Sequence, residues 1–320
     1  MEIVLDNIDK KLLSYLYHHY REPLTKIAKA CKVSRDQVEY RLEKYEKQGL
    51  IKKYATIFNY RLLGYDEFIV VLIKCSSSIE KTQLKNELEK YPDAITVFDC
   101  IGKYDLGTDL VFRNKDEFQK EWGNILKKYT ILEHSIFITT ALEFFPLKEF
   151  ELTVEGKSYP INPEKSTKKH ALDEKDIKIL RIIEENGRAR IVDIAKKTKL
   201  SCELILYKLK KLHEDNIILG NRIIFDLEKF GYFFGNLRIK LKNLDEEAIV
   251  KISKYCKYHK YINAISFGIG EYNCLVQVFY KEEKQFRDTL KEFLEKFKDN
   301  IHTSDIILIE NEGEIHTLPF

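Results

Sequence analysis

The spacing of hydrophobic positions changes partway along the chain. Between Leu12 and Tyr45, apolar residues recur three and four positions apart in three short segments, which is the period of a helix with one buried face. From residue 51 onward, apolar and polar positions alternate as in strands that bury one face. Ser34 suits a helix N-cap, and Gly49 suits the left-handed residue that ends a helix. The pattern predicts three helices followed by short strands.

The same pattern begins again in the second half. Sliding the chain by 167 positions places LDNIDKKLL, from Leu5, on LDEKDIKIL, from Leu172, and Gly49 on Asn216. The register holds without a gap through Gly64-Tyr65 and Gly231-Tyr232, and one residue later IGKYD faces IGEYN. A repeat of this length indicates two copies of one structural unit.

Each copy continues with a regular order of elements. The segments IKKYATIFN and ILGNRIIFD, which follow the third helices, alternate like short hairpin strands and predict a wing. Beyond them each copy reads strand, helix, strand, strand, helix, strand, the order of a ferredoxin-like α+β sandwich. The predicted fold is α+β, with two winged helix-turn-helix domains, each followed by a ferredoxin-like βαββαβ domain.

The repeat also predicts the domain boundaries. Pro146 to Ala171 contains three of the six prolines and a polar, lysine-bearing end, which is typical of a linker, although its EFELTV portion alternates like a strand. The expected domains are winged helix-turn-helix domains at 1–61 and 172–228, ferredoxin-like domains at 62–145 and 229–320, and a linker at 146–171.

Composition narrows the class of protein only slightly. The chain of 320 residues is 44% hydrophobic and 33% charged, with a net charge of +3, which describes a globular protein and says little about partners. The six cysteines are scattered, and the lone Cys256–His259 pair is too small for a zinc site. No apolar stretch approaches the roughly 18 residues of a membrane span. We expect a cytoplasmic protein without a metal, another cofactor or a membrane partner.

The two copies resemble the Lrp/AsnC (feast/famine) family of transcriptional regulators. The likeness rests on LDNIDKKLL, the IAKACKVS turn, VEYRLEKYEKQGLIKKY, LLGY and Gly102-Lys103-Tyr104-Asp105, in that order. Family members are usually single-unit chains that dimerise through the α+β (RAM) domain, so this chain resembles a covalent pseudo-dimer. The resemblance implies double-stranded DNA as a partner, a small effector such as an amino acid, and a homo-oligomer of pseudo-dimers.

In the family the third helix enters the major groove, where its N-terminal residues meet base edges. Arginine can bind guanine, glutamine adenine and aspartate cytosine, whereas lysine can hold phosphates. Between Ser34 and Gln48, four bases are balanced by four acids, but reading DNA requires well-placed donors and not a polybasic helix. The resemblance assigns DNA contacts to Ser34, Arg35, Asp36, Gln37, Tyr40, Arg41, Lys44, Lys52 and Lys53.

The second copy departs from this pattern. Its core positions Ile194, Ala195, Leu200, Ile205, Leu209 and Leu212 are apolar. At the positions of Arg35, Gln37 and Glu39 it has Cys202, Leu204 and Leu206, and leucine cannot hydrogen-bond to a base edge. Lys208, Lys210 and Lys211 can still hold phosphates. Exposed apolar neighbours are more typical of a protein contact, so we expect the second winged domain to position or dimerise while the first reads sequence.

Family effectors bind at contacts between α+β domains, near the turn with the motif G-x-Y-D. The matching residues are Gly102, Tyr104 and Asp105 in the first copy and Gly270, Tyr272 and Asn273 in the second. An amide in place of the aspartate cannot pair with the charge of an ammonium group. A tight β-turn alone would also explain these residue types, so both interpretations stay open.

Two alternatives compete with a DNA-binding regulator. Sirohaem decarboxylases share the architecture and resemble this family, but they carry a loop rich in histidine and arginine around the second and third strands. Here those regions read TVFDCIGKYDLGTDLVF and SFGIGEYNCLVQVFY, with neither residue. The other alternative is an effector-sensing adaptor without DNA binding. We expect a regulator and not an enzyme.

Overall fold

The computed structural model describes residues 5–145, 148, 159–160 and 172–320. The chain divides into two compact units. Of the described residues, the winged unit comprises 5–63, 145, 148, 159 and 172–232, and the sheet unit comprises 64–144, 160 and 233–320. Most of the predicted linker, including its EFELTV segment, lies outside the described residues.

The secondary structure repeats as the sequence predicts. The first copy contains α1 (Asn7–His19), α2 (Leu24–Cys31), α3 (Arg35–Lys47), β1 (Ile51–Phe58), β2 (Glu67–Cys75), α4 (Ser78–Leu88), β3 (Ala94–Ile101), β4 (Leu106–Phe112), α5 (Lys115–Lys128) and β5 (Ile131–Phe144). A two-residue strand, β6 (Tyr159–Pro160), follows. The second copy contains α6 (Glu174–Glu185), α7 (Ile191–Thr198), α8 (Cys202–Glu214), β7 (Ile218–Phe225), β8 (Phe233–Leu241), α9 (Glu246–Tyr258), β9 (Ile262–Gly270), β10 (Cys274–Tyr280), α10 (Glu283–Lys296) and β11 (Ile301–Glu312).

The wing differs from the predicted hairpins. The segment after each third helix is one strand, and β1 pairs antiparallel with β7 of the other copy, with Tyr54 opposite Ile223 and Thr56 opposite Asn221. The segments are strands as predicted, but they pair with each other across the two copies instead of forming a hairpin within each copy. Alternation shows that a strand buries one face, but it does not identify the partner that supplies the hydrogen bonds. This two-stranded sheet joins the winged domains of the two copies.

The predicted helix ends are confirmed. Ser34 caps α3, and Ser201 caps α8 in the same way. Gly49 and Asn216 follow the third helices with φ angles of 64° and 58°, which glycine and asparagine tolerate better than other residues. The same local chemistry therefore ends the third helix in both copies.

The two winged domains differ in how fully their predicted core positions are buried. In the first copy all of the predicted apolar positions are buried, from Leu12 to Tyr45. In the second copy Ile194, Ile205 and Leu212 are buried, whereas the other three predicted core residues are partly exposed: Ala195, Leu200 and Leu209. The second winged domain folds on a smaller buried core than the first.

The sheet unit contains a closed barrel. The four strands of the first copy run in the order β5-β2-β4-β3, and those of the second copy in the order β11-β8-β10-β9. The edge strand β5 pairs with β9 and the edge strand β3 pairs with β11, so the two sheets close into eight strands. Closure removes every open edge of the two ferredoxin-like sheets.

Alternate residues of each strand face opposite sides of the barrel wall. Ile69, Val71 and Ile73 of β2 pack in a core with α4 and α5, including Trp122. Leu72 of the same strand packs with residues from β3, from β11 and from the turn after β3: Phe98, Cys100, Tyr104, Ile307 and Ile309. The barrel interior is thus a second core that residues from both copies build together.

Replacement of Gly187 by alanine is expected to destabilise the winged unit. A Cβ atom at Gly187 would lie 2.1 Å from the carbonyl oxygen of Tyr54, so the loop between α6 and α7 would have to move away from β1. The matched control is Gly123→Ala in α5, where no atom lies within 4 Å of the added carbon and alanine favours the helix by up to about 1 kcal/mol. Thermal unfolding should show a lower melting temperature for Gly187→Ala only. Equal melting temperatures would contradict the close approach.

Candidate functional site

A capping box organises the start of α3. Ser34 Oγ accepts a hydrogen bond from the backbone N–H of Gln37 at 3.1 Å, and Gln37 Oε1 accepts one from the backbone N–H of Ser34 at 3.0 Å. These bonds satisfy two backbone donors at the helix end. Both residues, predicted to contact DNA, also hold the first turn of α3 in shape.

The first two turns of α3 present polar groups to solvent. The side chains of Arg35 and Asp36 are 53% and 90% exposed, and Tyr40 is 69% exposed. A guanidinium nitrogen of Arg35 lies 3.5 Å from an oxygen of Asp36 and 3.3 Å from an oxygen of Glu39. Exposed ion pairs of this kind contribute little to stability, so Arg35 can exchange these carboxylates for another acceptor.

Arg41 is turned toward α1. Its Nη1 and Nη2 donate to Asp6 at 3.0 and 2.8 Å, and Nη1 also donates to Asp9, which is buried. Tyr45 Oη donates to the same Asp9 oxygen at 2.6 Å. The Arg41 side chain is only 16% exposed. The DNA contact predicted for Arg41 stays a prediction, and to make it the guanidinium would have to leave two carboxylates.

The second copy repeats this arrangement with a lysine. Lys208 Nζ of α8 lies 2.7 Å from Asp173 and 2.9 Å from Asp176, and its side chain is 12% exposed. The role of phosphate contact predicted for Lys208 therefore competes with two internal carboxylates. The sequence carries a signal for this pairing, because two aspartates three positions apart open both repeats and a cation follows at the same distance in each.

The remaining predicted basic contacts differ in their surroundings. Lys52 and Lys211 are exposed, and Lys44 is partly exposed. Lys53 forms an ion pair with Glu184 of α6 and is 18% exposed. Compared with Lys53, three lysines are therefore better placed to contact phosphates: Lys52, Lys211 and Lys44.

The exposed face of α8 is apolar where that of α3 is polar. Leu206 is 55% exposed at the position of Glu39, while Leu204 and Cys202 are partly exposed at the positions of Gln37 and Arg35. Tyr207 is 62% exposed and corresponds to Tyr40. The two third helices therefore share an exposed tyrosine and an exposed acid, Asp36 in α3 and Glu203 in α8, and differ at the three positions just named.

The two glycine-tyrosine turns are not equivalent. Gly102 has a φ of 124° and open space around it, so its role is conformational. Gly270 instead lies where a Cβ atom would come within 2.5 Å of the carbonyl oxygen of Ile136, so its role is to let two strands approach. Tyr104 is buried and Tyr272 is partly exposed.

The last residue of each turn, Asp105 or Asn273, forms hydrogen bonds within its own sheet. Asp105 accepts from Lys74 Nζ at 2.8 Å and from the backbone N–H of Cys75 at 2.9 Å. Asn273 accepts from the backbone N–H of Leu241 at 2.7 Å and donates to its carbonyl at 3.1 Å. Both side chains thus hold a hairpin to the first strand of its sheet, and the effector role predicted for them stays a prediction.

Sequence reasoning missed Arg238 on β8, which lies beside both turns. It is 2% exposed, and its guanidinium carbon lies 5.1 Å from the ring centre of Tyr104 and 4.3 Å from that of Tyr272. Its Nη2 donates to Asp305, and its Nη1 lies 3.5 Å from Ser135 Oγ. Arg238 alternates with the polar Asn236 and Lys240 along this strand, so no signal in the sequence distinguished it from a cation that faces solvent.

The described residues contain no group of three or more histidine, cysteine, aspartate or glutamate side chains placed to hold a metal ion. Among the same residues, no helix is both long and apolar enough to cross a membrane.

In a comparison with known proteins, both winged domains match the same family model. Residues 5–52 and 172–218 match the family model for winged helix-turn-helix DNA-binding. The HTH-type transcriptional regulator FL11 of Pyrococcus horikoshii is 29% identical over 117 residues, which are 37% of this chain and 77% of that protein. An uncharacterized HTH-type transcriptional regulator of Pyrococcus abyssi is 30% identical over 139 residues, which are 43% of this chain and 92% of that protein.

Over the whole chain, the fold is similar to that of the siroheme decarboxylase NirDL, solved in complex with an iron-uroporphyrin III analogue. The TM-score is 0.65, with 98% of this chain and 94% of that chain covered and 14% identity. At this identity the likeness shows the fold alone.

These matches define a winged helix-turn-helix transcriptional regulator in which the winged helix-turn-helix module occurs twice. The chain belongs to the Lrp/AsnC family of such regulators. The resemblance drawn from the repeated motifs is thereby confirmed.

The Arg41 cluster predicts a pH-dependent stability. The hydrogen bond from Arg41 lowers the pKa of Asp6 from 3.8 to about 2. A carboxyl group with a lowered pKa stabilises the fold fully above its ordinary pKa, and this contribution is lost as the pH falls through the folded value. Arg41→Met should lower the free energy of unfolding by about 3 kcal/mol at pH 7, because Asp9 would be left buried without its cation. The deficit should shrink between pH 4 and pH 2.

Denaturant unfolding at each pH measures this difference. Arg35→Met is the matched control, because it removes an exposed guanidinium from the same helix. A deficit for Arg41→Met that is equal to that of the control, or constant with pH, would contradict the structural role of Arg41.

Proposed function

We propose that the chain is a sequence-specific, DNA-binding transcriptional regulator that acts in the cytoplasm as a covalent pseudo-dimer, with α3 as its reading helix. One observation carries the proposal. At matched positions α3 exposes hydrogen-bonding side chains, whereas α8 exposes leucine. Base edges are distinguished by hydrogen bonds. The second copy keeps an exposed acid and an exposed tyrosine at Glu203 and Tyr207 but has no arginine at the position of Arg35, so α3 has the richer chemistry for direct readout.

The predicted contact residues of α3 and β1 have distinct parts. Arg35 and Asp36 lie on the first turn, where helix-turn-helix proteins meet base edges, and Tyr40 follows one turn later. Arg41 positions the helix, because its ion pairs with Asp6 and Asp9 tie α3 to α1. Lys44 and Lys52 supply phosphate contacts, which add affinity without specificity.

The second winged domain acts as the support for the first. Its strand β7 pairs with β1 along the whole of both strands. Around this sheet, Arg21 donates to the carbonyl oxygen of Gly187, and Lys53 pairs with Glu184. Contacts of this kind within the winged unit fix the domain that carries α3 against the other copy, which favours a fixed presentation of the reading helix.

The proposal also includes regulation by a small effector such as an amino acid. It further includes assembly of pseudo-dimers into larger homo-oligomers. The proposed regulator is not an enzyme. The names of the relatives, which are transcriptional regulators, support this. The enzyme alternative rests on the fold alone, which this chain shares with NirDL. A bound tetrapyrrole would give a Soret absorbance in the purified chain, which would separate that alternative from the regulator.

Selection from a random pool of duplex DNA at moderate salt tests the proposal. We expect the chain to enrich a half-site motif, and Arg35→Ala to relax one position of that motif at a cost of about 10-fold or more in affinity, because a bidentate arginine-guanine contact discriminates by about 1–3 kcal/mol. Cys202→Ala, at the matching position of the second copy, is the control and should leave the motif unchanged.

Two outcomes would contradict this assignment. Binding that enriches no motif and disappears with added salt would reduce the interaction to backbone attraction. A motif that changes with Cys202→Ala but not with Arg35→Ala would place the reading helix in the second copy.

A further inference from the structure

We propose that the cleft between the two winged domains binds one small phosphate ester with an apolar body, and that Arg21 is the residue that binds the phosphate group. This inference goes beyond the proposed function, because it places a ligand site in the winged unit and not in the α+β domains. The observations that carry it are a cleft of sufficient volume, a guanidinium without a carboxylate partner, and a difference between α3 and α8.

The cleft has a volume of about 630 Å³, which is within the range of small-molecule sites. Both copies form it. The first copy contributes the turn between α1 and α2, and the second copy contributes the turn between α6 and α7 together with one face of α8. A ligand bound in the cleft would therefore contact both winged domains.

Arg21 brings a positive charge to the cleft that no acid neutralises. Its Nη1 donates to the carbonyl oxygen of Gly187, and within the described part of the chain it forms no ion pair with a carboxylate. Its neighbour Glu22 instead bonds to Tyr15 and Lys26. Burial lowers the pKa of Arg21, and no carboxylate counteracts this effect. Charges withdrawn from water are normally paired, so the guanidinium favours an anion from outside the chain.

Two helix N-termini add backbone donors to the cleft. Pro23 and Arg190 are the N-cap residues of α2 and α7, both line the cleft, and neither helix end has a side-chain cap. The free N–H groups of such an end favour an anion. Arg190 itself pairs with Asp193 at 2.7 Å, so it contributes the helix end and not an unpaired charge.

Two side chains of the lining have incomplete partners. The guanidinium of Arg188 lies 3.7 Å from the carboxylate of Glu46, which is long for an ion pair. Thr56 is 1% exposed, and its Oγ1 has no hydrogen-bond partner among the described residues. A buried polar group without a partner costs free energy. The cleft therefore has spare polar groups for a ligand that carries several oxygen atoms.

A phosphate ester suits this lining better than a carboxylate or free phosphate. A phosphate group on an ester carries a charge of about −1.5 to −2 and three acceptor oxygens, and arginine can bind it through two parallel hydrogen bonds. An apolar body attached to the phosphate would cover the apolar part of the lining. That part includes Leu24, Ile183, Ile191, Leu206, Leu209 and Ile218.

The two third helices differ at the cleft, which sets the number of sites. Leu206 and His213 of α8 line it, and the matching positions of α3 are Glu39 and Glu46. Two acids at these places would repel a phosphate group, so we expect one site per chain. The exposed leucine of α8, which cannot read a base edge, would form part of the apolar wall of this site.

Isothermal titration calorimetry of the full chain with 1-naphthyl phosphate, in the absence of DNA, tests this inference. The ester should bind with a stoichiometry of one per chain. 1-Naphthol lacks the phosphate and inorganic phosphate lacks the apolar body, so each should bind about 10-fold more weakly or not at all. Arg21→Met should weaken binding of the ester by about 30-fold or more, as expected for loss of a buried charged partner.

A second variant separates binding from folding. Leu206→Glu places at an exposed position the residue that α3 has there. Its negative charge should weaken binding of the ester by about 10-fold or more, while near-ultraviolet circular dichroism stays native. Tyr207→Glu adds the same charge at the next position, which is 62% exposed and does not line the cleft. It is the control and should bind as the unchanged chain does.

Any of four results would overturn the inference: no binding of the ester, two sites per chain, equal binding of 1-naphthol or inorganic phosphate, or equal binding by Leu206→Glu. If the ester does not bind and Arg21→Met weakens binding to every duplex alike, the cleft contacts the DNA backbone instead. None of these results would affect the proposed function, because selection of a DNA motif is a separate assay without the ester.

Discussion

Strand pairing between the two copies is the interaction on which the rest of the structure depends. A single ferredoxin-like sheet of four strands leaves two edges with unpaired backbone groups. Here β5 meets β9 and β3 meets β11, so that each copy covers the edges of the other. The pairing of β1 with β7 does the same for the winged domains. One copy alone would expose three strand edges, which explains why the duplicated chain folds as a pair.

Duplication within one chain frees the two copies to diverge. In a homodimer any change would appear twice, but here Leu72 and Arg238 occupy matching places in one barrel, and Gln37 and Leu204 occupy matching places on two helices. The local architecture of each copy is retained by the same caps and the same aspartate pair that holds a cation of the third helix. Divergence therefore concerns the exposed helix faces and the barrel interior.

Much of this fold was predictable because its signals are local or repeated. The caps at Ser34 and Gly49, the element order and the two copies all follow from residues close together or from a fixed offset. The partner of β1 was not predictable, because a strand's alternation does not encode which distant strand it meets. The orientation of Arg41 and the burial of Arg238 were not predicted either. A cation on a helix or strand is expected to be exposed, and only tertiary contacts reverse that expectation.

Site-specific photo-crosslinking at the two matched tyrosines tests the central claim most directly. Tyr40 and Tyr207 are both exposed at the same place on α3 and α8, so a benzoylphenylalanine at either position samples the same geometry. With a duplex that carries the selected motif, the account predicts a DNA crosslink from position 40 and none from position 207. Equal crosslinking from both positions, or crosslinking from position 207 alone, would contradict the division between a reading copy and a supporting copy.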